Sequence, residues 1–123
     1  MKSTSRWHSF SSAVNGVVYA FRTQPNTWIE LFAAAVVVVA GILFSIDRLE
    51  WAIIAITVFS VLALEAVNSA IEALVDLVSP EYDELAGVVK DCAAGAMLLA
   101  ATGAVFVAAA IFGPRLWALF VGV

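Results

Sequence analysis

Glu65, Asn68, Glu72 and Asp76 recur at spacings of three and four in the run E-A-V-N-S-A-I-E-A-L-V-D, inside a segment otherwise apolar enough to cross a membrane. At about 100° per residue they fall at roughly 0°, 300°, 340° and 20° around a helix, so all four share one narrow stripe. Val67, Leu74 and Val78 occupy the opposite face, which stays apolar. Ionisable groups are costly inside a membrane and mark functional sites there. Seven of the ten acids lie between Glu65 and Asp91, with Lys90 as the one base among them. So anionic a patch repels nucleic acid and bare phosphate alike, and an anionic ligand has to arrive with a divalent cation.

Phosphoryl transfer needs a base or orienting group at the attacking hydroxyl, a metal bridging the phosphates, and cationic neutralisation. Glu65, Glu72 and Lys90 are of the types that supply these. The rival from another class is a small ion-translocating or structural oligomer, with Glu65 as proton carrier. A proton carrier needs one carboxylate near mid-membrane and does not call for Asn68, Glu72, Lys90 and Asp91 trailing towards water. Neither G-x-x-x-x-G-K-[ST] nor G-x-G-x-x-G occurs, so side chains and a metal must hold any phosphate donor.

The elements that position the stripe follow from composition and periodicity. The chain has 123 residues, 63% hydrophobic and 13% charged, and its mean hydropathy is +1.01. These values place it among all-α integral membrane proteins, as a single domain over residues 1–123. Trp7, Phe10, Val14, Val17, Val18 and Phe21 recur at helical spacing, which predicts an N-terminal amphipathic surface helix over about 5–22, with His8 on its polar face. Three transmembrane helices are predicted at about 28–46, 51–78 and 86–112, ended in turn by Asp47 to Glu50, Ser79-Pro80 and Gly113-Pro114. The first apolar run starts too late and extends too far for a secretory signal, so the spans are expected to remain. From Trp51 to Leu64 the second span covers about 21 Å, which leaves Glu65 just inside the hydrocarbon, Glu72 at its boundary and Asp76 beyond.

Ala96, Ala100, Ala104 and Ala108 form a small-residue ladder for helix packing. Trp28, Trp51 and Trp117 stand at span ends as interfacial anchors. Cys92, the single cysteine, is expected to be a small buried side chain. Three spans put the termini on opposite sides. With the N-terminus cytoplasmic, Lys2, Arg6, Arg22 and Lys90 collect on that side against Arg48 and Arg115 outside, as the positive-inside rule favours. The acidic stripe then opens to the cytoplasm, where nucleotides are found.

The stripe, followed by S-P-E-Y-D-E-L-A-G-V-V-K-D-C-A-A-G-A, resembles the prokaryotic diacylglycerol kinase and undecaprenol kinase family over nearly the whole chain. The resemblance implies a homotrimeric lipid kinase of the bacterial cytoplasmic membrane, with active sites shared between subunits and Mg²⁺-ATP as donor. Its acceptor is a membrane lipid alcohol, diacylglycerol or undecaprenol. The A-A-G-A run after Lys90-Asp91 leans towards the undecaprenol branch. By the same resemblance the catalytic base falls on Glu65 and the metal carboxylate on Glu72, with Asn68 and Asp76 beside them. Nucleotide contacts carry over to Glu72, Asp76, Glu81, Tyr82, Asp83, Lys90, Asp91 and Arg6. Glu30 matches a further acidic position that would serve substrate or metal. One departure stands out: where the family has a second metal-binding glutamate, this chain has Gln24, whose amide oxygen ligates without charge.

Overall fold

In the computed structural model, which describes residues 5–122, the chain forms four helices and, among the described residues, no strand. They are α1 (Arg6–Thr23), α2 (Asn26–Leu43), α3 (Arg48–Val78) and α4 (Glu84–Val121). The last three are long and apolar enough to cross a membrane. Local chemistry sets most boundaries. Ser5 caps α1, its hydroxyl accepting from His8 N at 3.1 Å. Pro25, which fixes its own φ, turns the chain into α2. Asp83 caps α4, accepting from Leu85 N at 2.9 Å and Ala86 N at 3.2 Å.

Three boundaries differ from those expected. The first span ends at Leu43, not Ile46, because Ser45 takes a left-handed conformation (φ 52°). Ile46 N then donates to Gly41 O and Ser45 N to Ile42 O, which satisfies the last carbonyls as a Schellman motif does. The second span begins at Arg48, not Trp51. Asp47 accepts from Glu50 N at 2.8 Å while Glu50 Oε1 accepts from Asp47 N at 3.2 Å, so the polar segment read as a linker is a capping box plus the first helical turn. The third span runs through Gly113-Pro114 to Val121. A proline inside a helix frees one backbone carbonyl a turn earlier, a loss that neighbouring side chains can cover in a membrane helix. The carbonyl so freed is that of Ala110; the Arg115 guanidinium donates one residue further on, to Ile111 O, and, through both terminal nitrogens, to the Glu50 carboxylate at 2.7 and 2.8 Å.

The Arg115–Glu50 pair joins the end of α4 to the start of α3. Lys90 and Asp76 pair at 2.8 Å and join the opposite ends, so the two helices form an antiparallel hairpin in contact along most of its length. Ile54 of α3 packs there with Ile46, Ile111 and Phe112 in the hydrophobic core. Ala100, Ala104 and Ala108 are half-buried, but Ala96 is exposed, because a spacing of four drifts by about 40° per step around a helix. Cys92 is also exposed rather than buried; it precedes Ala93, which faces inward, by about 100° of rotation.

Gly41 fixes where α2 meets α3. A Cβ there would lie 2.6 and 2.8 Å from Trp51 Cη2 and Cζ2, and 3.0 Å from Ile46 Cδ1. Trp51 is therefore half-buried against a glycine, while Trp28 and Trp117 stay exposed. Gly41→Leu should lower unfolding stability in mild detergent by about 1–3 kcal/mol, the usual cost of overpacking. An unchanged denaturant midpoint would show that the ring moves aside freely.

Candidate functional site

On α3 the polar stripe faces protein while its back faces outward. Glu65 is 2% exposed, Asn68 8% and Ser69 4%, whereas Val67, Leu74 and Val78 on the opposite side are exposed. α1 and α2 cover the stripe. The C-terminal half of α1 rests on it through Ala20, which is 2% exposed and has the small side chain a close helix approach requires. The turn after α1 delivers Gln24, and the first turn of α2 delivers Thr27 and Glu30, three residues apart and so on one face.

Gln24 Nε2 donates to Glu72 Oε2 at 2.7 Å, so the two residues expected to share a metal are in contact. Glu30 goes elsewhere: its carboxyl lies within hydrogen-bonding range of Glu65. Ionised carboxylates only accept, so two at that range need a proton or a cation between them. Ser69 Oγ donates to the Glu65 carbonyl at 3.0 Å, the backbone contact a serine makes four residues along a helix. Burial falls along α3 from Glu65 through the half-buried Glu72 to the exposed Asp76. There Asp76 Oδ1 meets Lys90 Nζ, with Glu72 near enough to act on the same ammonium.

Three buried oxygens in this region have no hydrogen-bond partner: Thr27 Oγ1, Glu30 Oε2 and Asn68 Oδ1. Buried polar groups are almost always paired, and sites that hold a ligand are where the exceptions occur. Thr27 is fully buried and Ser69 nearly so, and neither was singled out by sequence reasoning. Their signal was positional, one turn before Glu30 and one turn after Glu65, and it was hidden because threonine and serine are ordinary inside membrane helices.

The residues expected to contact a nucleotide are less gathered. Asp83 is engaged as the α4 cap, Tyr82 is 93% exposed, and Glu81 and Asp91 are exposed. Arg6 begins α1, about 27 Å along that helix from Gln24. A single chain therefore brings together Gln24, Thr27, Glu30, Glu65, Asn68, Glu72, Asp76 and Lys90, and leaves Arg6, Glu81, Tyr82 and Asp91 on its surface.

The donor set suits magnesium carried by a nucleotide. Among the described residues no three His, Cys, Asp or Glu side chains cluster as a cation cage. Mg²⁺ is commonly held by one or two protein ligands plus substrate phosphates and waters. The Glu72 carboxylate and the Gln24 amide fit that pattern, since Gln24 keeps its carbonyl oxygen while its amino group holds Glu72.

Comparison with known proteins places the chain among lipid kinases. The family model of the prokaryotic diacylglycerol kinases matches residues 11–112. A diacylglycerol kinase of Synechocystis is 45% identical over 114 residues, covering 92% of this chain; the chain spans 65% of that relative's length, just under two thirds. An undecaprenol kinase of Bacillus subtilis is 35% identical over 108 residues, with 88% of each chain covered. A diacylglycerol kinase of Escherichia coli is 31% identical over 98 residues, 74% of this chain and 80% of the relative.

An unpartnered buried hydroxyl costs stability that an apolar isostere recovers. Thr27→Val is thus expected to raise stability by about 1 kcal/mol, measured as a shift of the denaturation midpoint in detergent. A destabilised variant would mean that the hydroxyl is already partnered in the folded protein.

Proposed function

The chain belongs to the prokaryotic diacylglycerol kinase family, a family of lipid kinases, and we propose that it phosphorylates the hydroxyl of a membrane lipid alcohol at the expense of ATP. The observation that carries this reading is the gradient along α3, from buried unpartnered oxygens around Glu65 to the Lys90–Asp76 pair at the surface. A lipid alcohol reaches the buried end from the membrane, and a nucleotide reaches the exposed end from water.

Glu65 accepts the proton of the acceptor hydroxyl as its oxygen attacks the γ-phosphorus of ATP. The bond from that phosphorus to the β,γ-bridging oxygen breaks, ADP leaves with the electron pair, and the lipid phosphate remains in the membrane. Asn68 and Glu30 orient the hydroxyl. Glu72 and Gln24 hold Mg²⁺, which when bound neutralises charge on the phosphates. Lys90, aligned by Asp76, lies beside the transferred group, while Asp91, Glu81, Tyr82, Asp83 and Arg6 complete the nucleotide side. The family resemblance implies a homotrimer with sites shared between copies, in which a neighbouring copy would complete the site for the residues that stand on the surface of one chain. Its N-termini lie in the cytoplasm, its C-termini outside, and α1 rests on the membrane surface as an amphipathic helix. Read as a proton carrier instead, the chain would have no use for the Gln24–Glu72 and Lys90–Asp76 contacts.

Incubating the purified protein in lipid with labelled ATP and Mg²⁺, with diacylglycerol and undecaprenol offered separately, should move label into lipid. Glu65→Gln should lower kcat by about a hundredfold or more with the fold retained. Absence of transfer to either lipid by folded protein would sink the kinase reading, and a near-normal rate in the variant would remove Glu65 as base. At position 24, Gln24→Glu adds charge to the metal ligands, so the Mg²⁺ needed for half-maximal rate should fall several-fold. An unchanged requirement would show that this position does not ligate.

A further inference from the structure

Helices α2 and α3 run in opposite directions, and their contacts follow one register: Gln24, just before α2, with Glu72, then Glu30 with Glu65, then Gly41 with the Trp51 ring. Thr27 stands midway between the first two contacts, about 4.5 Å along the axis from Glu30. On α3 the midpoint falls at Asn68 and Ser69, both buried. This middle level has no closing contact. Thr27 Oγ1 and Asn68 Oδ1 lack hydrogen-bond partners, although Thr27 has no exposed surface. A threonine inside a helix ordinarily donates its hydroxyl to a carbonyl one turn back, as Thr57 does to Ile53 O and Thr102 to Leu98 O. Thr27 lies in the first turn of α2, with no carbonyl of its own helix behind it, and its O–H is left unspent.

Resting on the lipid kinase reading, we propose that the Thr27 hydroxyl is a further catalytic group, which donates a hydrogen bond to a non-bridging oxygen of the transferred phosphoryl group. Hydrogen-bond polarity is the first reason. Asn68 Oδ1 and Glu30 Oε2 accept, any proton held between Glu30 and Glu65 is spent on that contact, and Ser69 has given its hydrogen to the Glu65 carbonyl. Of the three unpartnered oxygens only that of Thr27 carries a hydrogen, and phosphoryl oxygens need one. The two accepting oxygens suit the O–H of the alcohol instead. Order along the stripe is the second reason. Thr27 lies on the mouth side of the Glu30–Glu65 pair and on the inner side of Gln24–Glu72. In-line transfer puts the phosphoryl group between the attacking oxygen at Glu65 and the leaving oxygen towards the mouth, which is the level of Thr27. Any ester oxygen of the lipid follows the hydroxyl in from the membrane and lies on the far side of Glu65. Burial is the third reason, because a donor screened from water stabilises developing charge more strongly. The Gln24–Glu72 contact at 2.7 Å closes this level from the mouth, so the phosphoryl group meets Thr27 once that contact opens. Thr27 keeps its proton throughout, and the proton of the alcohol goes to Glu65.

The test compares Thr27→Val, which keeps the shape, with Thr27→Ser, which keeps the hydroxyl, in purified protein in nanodiscs. Thr27→Val is expected to lower kcat for label transfer from ATP by about ten- to a hundredfold, the loss of one hydrogen bond to a charged group. KM for ATP and for the lipid alcohol should stay within about twofold, and Thr27→Ser should recover most of the rate. A second measurement needs no turnover: the affinity for Mg²⁺-ADP with and without aluminium fluoride, which stands in for the transferred phosphoryl group. Wild type and Thr27→Ser should bind ADP at least about tenfold more tightly with the fluoride. Thr27→Val should lose most of that gain and bind ADP alone as wild type does. A normal kcat in Thr27→Val, a loss confined to KM for the lipid, or a fluoride gain that is absent from wild type or kept in Thr27→Val would each overturn the proposal. Thr27→Ala takes the place of Thr27→Val in both measurements if the valine variant does not fold. A wild-type protein that shows the fluoride gain, lost in Thr27→Val, yet transfers no label would refute the kinase reading alone.

Discussion

A carboxylate carried on a membrane-spanning helix must be faced by protein or water, because hydrocarbon offers it neither hydrogen bonds nor dielectric screening. Glu65 meets this constraint by burial against α1 and α2, and most of the architecture follows from it. α3 turns its polar stripe inward and presents Val67, Leu74 and Val78 outward. The two shorter helices must then lie on the same side of α3, close enough to exclude lipid. Ala20 gives α1 that approach, and Thr27 on the first turn of α2 lies fully buried in the same region. The cover is polar but incomplete, since Thr27, Glu30 and Asn68 keep oxygens without partners. A purely structural polar core has reason to pair those atoms. Leaving them open matches a place where a hydroxyl arrives.

The α3–α4 hairpin provides the rigid reference for this site. Glu50 with Arg115 at one end and Asp76 with Lys90 at the other fix the register of two long helices that otherwise meet through small or branched apolar side chains. Pairing at the Asp76 end also places the Lys90 ammonium near Glu72, which sets cation, carboxylate and amide side by side at the exposed mouth. α2 has no such continuous packing. Held by Glu30 near its start and Gly41 near its end, it leaves a groove that joins the apolar interior to the carboxyl pair. One arrangement therefore sets an apolar groove and a polar mouth on either side of the same stripe.

Much of this was legible from residue type and period. The four polar positions on α3 share a face by helical geometry alone, and all four are residues that the rest of the chain buries or meets. Helix ends were less legible where several weak signals competed. Asp47 to Glu50 has the composition of a linker, yet it forms a reciprocal cap whose hydrogen bonds depend on the chain entering α3 in the right direction. Pro114 reads as a stop, but α4 continues through it, and Arg115 reaches back to Ile111 O and over to Glu50, contacts that sequence spacing does not reveal. Ser45 in a left-handed turn ends α2 without the glycine that usually marks such a place.

By itself the sequence determined that three helices can span a membrane, that one of them carries a line of acids, and that the acids crowd towards one end. Those properties follow from composition and from a period of 3.6 residues, which belong to each segment separately. Only the tertiary structure decided that Gln24 meets Glu72 while Glu30 meets Glu65, and that Thr27 and Ser69 are buried. It also decided that Ala96 and Cys92 turn outward and that α2 leaves a groove beside α4. The reason is that pairing across helices depends on the rotation and stand-off of each helix about its neighbour, quantities set jointly by Ala20, Gly41, Trp51 and the two end-to-end ion pairs. No segment carries that information alone.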